Sequence, residues 1–248
     1  MKTENRKTKL VWLTAAVIAA ALALCACSGQ GEAVDEKKAA QKEAPVSGDT
    51  EVDYMVLVNF ENPLPDDWLD RVKFHAGINS VGDDVFTETG AHDAYLKLKD
   101  DVEKELSDRK VTLELDSAYR SEAAQQKIVD EFTEKYGEEY VKKYVAAPGY
   151  SEHHTGLALD LYFIVGDTTV YENEDLVQYP EIWEVIHKKL PEYGFILRYP
   201  EGREDVTGVD YEPWHLRYVG SPEIAKEITE KGLTLEEYLA VERSLHLR

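Results

Sequence analysis

Leu157-Ala158-Leu159-Asp160-Leu161-Tyr162-Phe163 has the period-two pattern of a strand, and the fold class follows from it. Successive side chains of a strand point to opposite faces, so Leu157, Leu159, Leu161 and Phe163 share an apolar face. Ala158, Asp160 and Tyr162 share the other. The segment before it, Ser151-Glu152-His153-His154-Thr155-Gly156, is polar, and Gly156 permits a bend in the backbone.

Working outward, 54–58, 111–115, 195–199 and 216–219 have the apolar or alternating pattern of further strands. Leu96, Leu98 and Val102 give 91–106 a helical spacing. Ser121 caps a helix that Gly137 stops after Tyr136, and 138–145 adds a short helical continuation. Further helices are expected over 179–190, 222–231 and 234–245. Helices and strands in irregular order predict an α+β class: a single domain with a small, mainly antiparallel sheet flanked by helices.

The chain has seven histidines. His75, His92, His187 and His246 stand in ordinary amphipathic or loop contexts and read as structural or solvated. His153 and His215 do not, the latter within Glu212-Pro213-Trp214-His215-Leu216-Arg217-Tyr218. A catalytic zinc takes three protein ligands and keeps a fourth position open. It also needs a nearby carboxylate outside the ligand set to accept the proton of a water. His153, Asp160 and His215 would supply two nitrogens and one oxygen, and Ala158 leaves room beside them. Glu212 would be the base, which requires a turn at Pro213, since a strand would put residues 212 and 215 on opposite faces. The spacing is equally that of two buried histidines hydrogen-bonded in a core, with Trp214 packed nearby.

The N-terminus reads as an address. Lys2, Arg6, Lys7 and Lys9 precede an apolar run from Leu10 to Leu24, which is secretory signal grammar. Leu24-Cys25-Ala26-Cys27 resembles the lipobox of bacterial lipoproteins, with Cys27 preferred for lipidation because small Ala26 precedes it. Residues 1–27 are therefore expected to be a lipoprotein-type signal segment, 28–50 a flexible tether, and 51–248 the folded domain. An uncleaved membrane anchor is the alternative, and both place the domain outside the cytoplasm. The two cysteines lie in the leader, so the domain has no disulfide, cysteine nucleophile or thiolate ligand. A net charge of −21 argues against a nucleic-acid partner, whose phosphates need a basic footprint.

Three blocks in order resemble the VanY-type D-alanyl-D-alanine carboxypeptidases, bacterial zinc peptidases grouped with D,D-dipeptidases and L,D-carboxypeptidases. Ser117-Ala118-Tyr119-Arg120-Ser121 with Gln125 resembles a YRSxxxQ block. Ser151 to Asp160 resembles SxHxxGxAxD, and Glu212 to Tyr218 resembles ExWHxRY. Gly194 to Pro200 and Val58 to Pro65 are also similar, and the likeness runs from about 54 to 220. It implies a Zn2+ cofactor on His153, Asp160 and His215, with Glu212 as general base. It implies that Arg120 polarises the scissile carbonyl and that Ser151, Gln125 and Arg120 contact substrate. Tyr119 and Trp214 shape the site, and His154 stands outside the ligand set or faces solvent. The activity implied is removal of the terminal D-alanine from peptidoglycan stem peptides, a D,D-carboxypeptidase. The alternatives are an L,D-carboxypeptidase acting on tetrapeptide stems and a non-catalytic peptidoglycan-binding lipoprotein. Stereochemical preference is expected to rest on pocket-lining loops such as 75–92 and 165–180.

Overall fold

The computed structural model describes residues 51–80 and 82–246; the signal segment, the lipidation site and the tether lie outside them. Among the described residues there are seven strands: β1 (Phe74–Ile78), β2 (Asp84–Glu88), β3 (Val111–Ser117), β4 (Ala158–Val165), β5 (Thr168–Val170), β6 (Phe195–Leu197) and β7 (His215–Tyr218). β1 and β2 pair as a hairpin, and the larger sheet has the order β3-β4-β7-β6 with β5 on β4. Every pairing is antiparallel. The α+β class and the small antiparallel sheet flanked by helices are as the sequence pattern predicts.

β4 is central, and both of its faces are enclosed. Leu159, Leu161 and Phe163 enter the main core with Leu98, Leu113, Trp183, Ile186, Phe195 and Leu216. The helices Thr89–Glu105 and Pro180–Lys189 supply that cover. A fully buried side chain of this kind contributes about 1.5–3 kcal/mol, so the alternation holds the register of β4 firmly. Leu157, just before the strand, belongs instead to a second cluster with Val56, Val58, Trp68 and Val72.

Three expectations change. Residues 54–58 form no strand. The carbonyls of Tyr54 and Val56 accept from the Arg217 guanidinium at 2.9 and 2.7 Å, so a side chain takes the place of a ladder. Leu96 is 46% exposed; Ala91, Ala94, Tyr95, Leu98 and Val102 form the buried stripe of its helix. Residues 75–92 are no plain loop, since they contain most of the β1–β2 hairpin and the start of a helix. The helix Glu122–Tyr136 is capped by Ser121 Oγ, which accepts from Ala124 N at 3.1 Å, and stops at Gly137 as expected.

Candidate metal centre and its surroundings

The 3-10 turn Glu152–Thr155 ends in Gly156, whose φ of +70° is left-handed. A Cβ there would meet Phe74 Cε1 at 2.6 Å, so glycine is required twice over, by backbone angle and by space. The bend delivers His153 to the polar face of β4. Within the sheet Asp160 pairs with His215 on β7 and with Ser117 on β3, next to a register shift between Leu115 and Ser117. The turn at Pro213 closes through His215 N donating to Glu212 O at 3.2 Å, which brings Glu212 beside His215. His187 Nε2 contacts the Pro213 carbonyl at 2.9 Å and steadies that turn.

Donor atoms of His153, Asp160 and His215 lie within 4.8 Å of one another. His153 Nε2 is 3.1 Å from Asp160 Oδ2, and His215 Nδ1 is 3.1 Å from Asp160 Oδ1. Their outer nitrogens are committed. His153 Nδ1 is 2.7 Å from the Ala118 carbonyl, and His215 Nε2 is 3.0 Å from Glu152 Oε2. Carbonyl and carboxylate only accept, so each outer nitrogen carries the proton and each inner nitrogen is left as a potential ligand. Asp160 Oδ1 is buried and meets no donor in hydrogen-bonding geometry, although His215 Nδ1 is close. Two nitrogens and an under-satisfied carboxylate, with no thiolate among them, fit a divalent cation.

The charges are strongly coupled. Burial alone would raise the Asp160 carboxyl, but His153 and His215 hold it far below the usual carboxylate range. Burial keeps His153 below the ordinary histidine value. Burial opposes ionisation of His215 too, yet Asp160 and Glu152 outweigh it and push its pKa up to about 10. Without a metal, His215 therefore holds a proton in the space between the ligands. Glu212 Oε2 is 3.5 Å from His215 Nδ1, and a quarter of its side chain still meets solvent. Burial, helped by Asp160 and Asp210, pushes its pKa up to about 7 against the pull of His215 and Arg120.

Arg120 lies within electrostatic reach of Asp160 and Glu212. Its guanidinium donates to Gln125 Oε1 at 3.1 Å and to Ser117 Oγ at 3.3 Å. Gln125 is buried and donates in turn to the Ala146 carbonyl at 2.8 Å. Its amide is thus committed to Arg120 and to the backbone. Ser151 is buried at the entry to the turn. His154 is buried, not solvent-facing: its Nδ1 is 2.6 Å from the Arg120 carbonyl, and its Nε2 accepts from Gly149 N at 3.0 Å. It joins two loops of the site. Tyr119 packs edge-on against Phe74 at 4.8 Å, and Trp214 packs against the main core.

The sequence of residues 87–221 matches the family described as VanY: D-alanyl-D-alanine carboxypeptidase. The chain belongs to this carboxypeptidase family. It is 42% identical over 106 residues to the bifunctional D-Ala-D-Ala dipeptidase and carboxypeptidase VanXYC of Enterococcus gallinarum, covering 41% of this chain. The chain spans 53% of that relative's length. A mutant of the vancomycin-resistance D,D-pentapeptidase VanY, solved in complex with Zn(II), superposes with a TM-score of 0.61 at 31% identity. That match covers 75% of this chain and 98% of the other. The LD-carboxypeptidase LdcB superposes with a TM-score of 0.62 at 32% identity, covering 79% and 90%.

A charged group on the far side of His215 has no counterpart among the sequence-based expectations. Glu152, Arg198 and Arg217 are buried there together. A signal for Arg217 was present: it stands two residues after His215, on the same face of β7. Arg198 and Glu152 come from other elements, and no periodicity joins them.

Proposed function

We propose that this VanY-family protein is a zinc-dependent D,D-carboxypeptidase that releases the terminal D-alanine from peptidoglycan stem peptides. The observation that carries the reading is the convergence of His153, Asp160 and His215, whose ligand atoms lie within 4.8 Å although two sequence blocks supply them. A relative at 31% identity was solved with Zn(II), which supports the choice of metal. Another neighbour was solved with D-alanine-D-alanine, which supports the substrate class.

Bound at these three residues, zinc would supply a Lewis acid that polarises the scissile carbonyl and acidifies a water. Glu212, with a pKa near 7, takes the proton of the attacking water and returns it to the leaving amine. Arg120, held by Gln125 and Ser117, places fixed positive charge where the carbonyl oxygen becomes negative. Ser151 meets the substrate, and Gln125 acts on it through Arg120. Tyr162 shares the face of Asp160, and 75–92 and 165–180 meet at it through Ser80 and Tyr171. Those segments select the residue before the cut.

The likeness to LdcB and to the L,D-carboxypeptidase DacB favours a second reading, cleavage of D-alanine from tetrapeptides. The protein acts outside the cytoplasmic membrane, held by lipidated Cys27 through the 28–50 tether; the leader's signal grammar supports this. Among the described residues no helix is long and apolar enough to cross a membrane.

The test is release of D-alanine, read by mass spectrometry, from a pentapeptide ending in D-Ala-D-Ala and from a tetrapeptide ending in one D-Ala. Chelator-sensitive, zinc-restored cleavage of the pentapeptide alone is expected. Cleavage of the tetrapeptide alone moves the assignment to the L,D reading, and cleavage of neither removes the carboxypeptidase activity from this protein.

A further inference from the structure

We propose that Glu152 is a positioning residue for the metal centre: clamped by Arg198 and Arg217 and backed by Glu236, it fixes the ring of His215 so that Nδ1 faces the metal. The two oxygens of Glu152 divide the work. Oε1 accepts from Arg198 Nε and from an Arg217 terminal nitrogen, both at 2.7 Å. Oε2 is left for His215 Nε2 at 3.0 Å. The arginines are fixed in their turn. Arg198 forms a bidentate pair with Glu236 at 2.9 and 2.6 Å, and Asn59 Nδ2 donates to Glu236 Oε1 at 3.1 Å. Arg217 donates to the carbonyls of Tyr54, Val56 and Tyr218.

A buried ion network that only held the fold together would need no histidine. Two arginines already balance Glu152 and Glu236, yet one carboxylate oxygen of Glu152 goes to a metal ligand. Glu152 also precedes His153 in the same turn, so one turn supplies one ligand and orients the other. Partners of this kind set ring orientation and tautomer in histidine metal sites. Tyr54, Val56, Asn59 and Glu236 lie outside the matched region 87–221. The flanking segments of the chain thus brace its centre.

The experiment uses the full chain, its Glu152→Gln and Glu236→Gln variants, and two readouts. The first is zinc affinity by competition with a chromophoric chelator. Loss of such a partner costs about 10–100-fold in affinity, and that fall is expected for Glu152→Gln, with a smaller fall for Glu236→Gln. The second is the Nε2–H proton of His215 in the metal-free protein, read by NMR. It is expected downfield and slow to exchange in the wild type, and displaced or lost in Glu152→Gln. Folded Glu152→Gln with wild-type affinity and an unmoved proton overturns the inference. Should that variant not fold, Glu236→Gln decides, and wild-type values in both readouts overturn it. The inference rests on the metal-site reading only through its first arm. If the wild type takes up no zinc, that reading falls, and the proton signal alone decides the role of Glu152.

Discussion

The two sides of His215 make opposite use of buried charge. On the Nε2 side, Glu152, Arg198, Arg217 and Glu236 satisfy one another, and both arginines are wholly buried. On the Nδ1 side, His153, Asp160 and Glu212 are packed together, yet Asp160 Oδ1 has no donor in hydrogen-bonding geometry and Glu212 has a pKa of about 7. A buried ion group closed by its own partners offsets part of its desolvation within the protein, and removal of one partner leaves a charge uncompensated. A group left open keeps capacity for a cation, a water and a substrate. Perturbed titration with an unmet acceptor, next to a site that meets every acceptor, is what separates chemistry from support here.

The largest expected effect is on the open side. Asp160→Asn should remove bound zinc and reduce D-alanine release to background, with metal content read by mass spectrometry. A variant that keeps stoichiometric zinc would show that the open side does not hold the metal through Asp160. Glu212→Gln should keep the metal and lose about 10²–10⁴-fold in kcat, the usual worth of a general base. On the closed side, Arg217→Met should destabilise the metal-free protein by about 3–5 kcal/mol in urea unfolding, because Glu152 keeps only part of its compensation. An unfolding midpoint equal to the wild type would mean that the closed group carries no stability. The smallest effect is a linkage. His215 has a pKa of about 10 without metal and must give up its Nδ1 proton to coordinate. Zinc affinity should rise about tenfold per pH unit from pH 7 towards 9, with about one proton released on binding. Calorimetry in buffers of different ionisation enthalpy reads that proton.

Much of the open side was legible in the sequence. Alternation in Leu157 to Phe163 put Asp160 on the polar face, and the strand paired as that pattern requires. The Pro213 turn was needed to bring Glu212 beside His215, and it is there. Two segments depart from their local pattern. Tyr54 and Met55 lie in a turn, Arg217 occupies the carbonyls of Tyr54 and Val56, and no local feature of 54–58 shows a partner so far along the chain. Phe74-His75-Ala76-Gly77-Ile78 is apolar at every second position, yet its burial does not follow that period, and Ile78 is exposed in the hairpin.

The class of fold, the polar face of β4 and the residue types able to hold a divalent cation follow from the sequence. Those features are local, carried by period-two alternation, by glycine at a bend and by short blocks. Which nitrogen of each histidine is left for a cation, that Gln125 accepts from Arg120, and that Glu152 stands behind His215 emerge once the chain is folded. Ring orientation and charge compensation depend on atoms that meet across long sequence separations, and a linear pattern holds no record of them until the chain has closed.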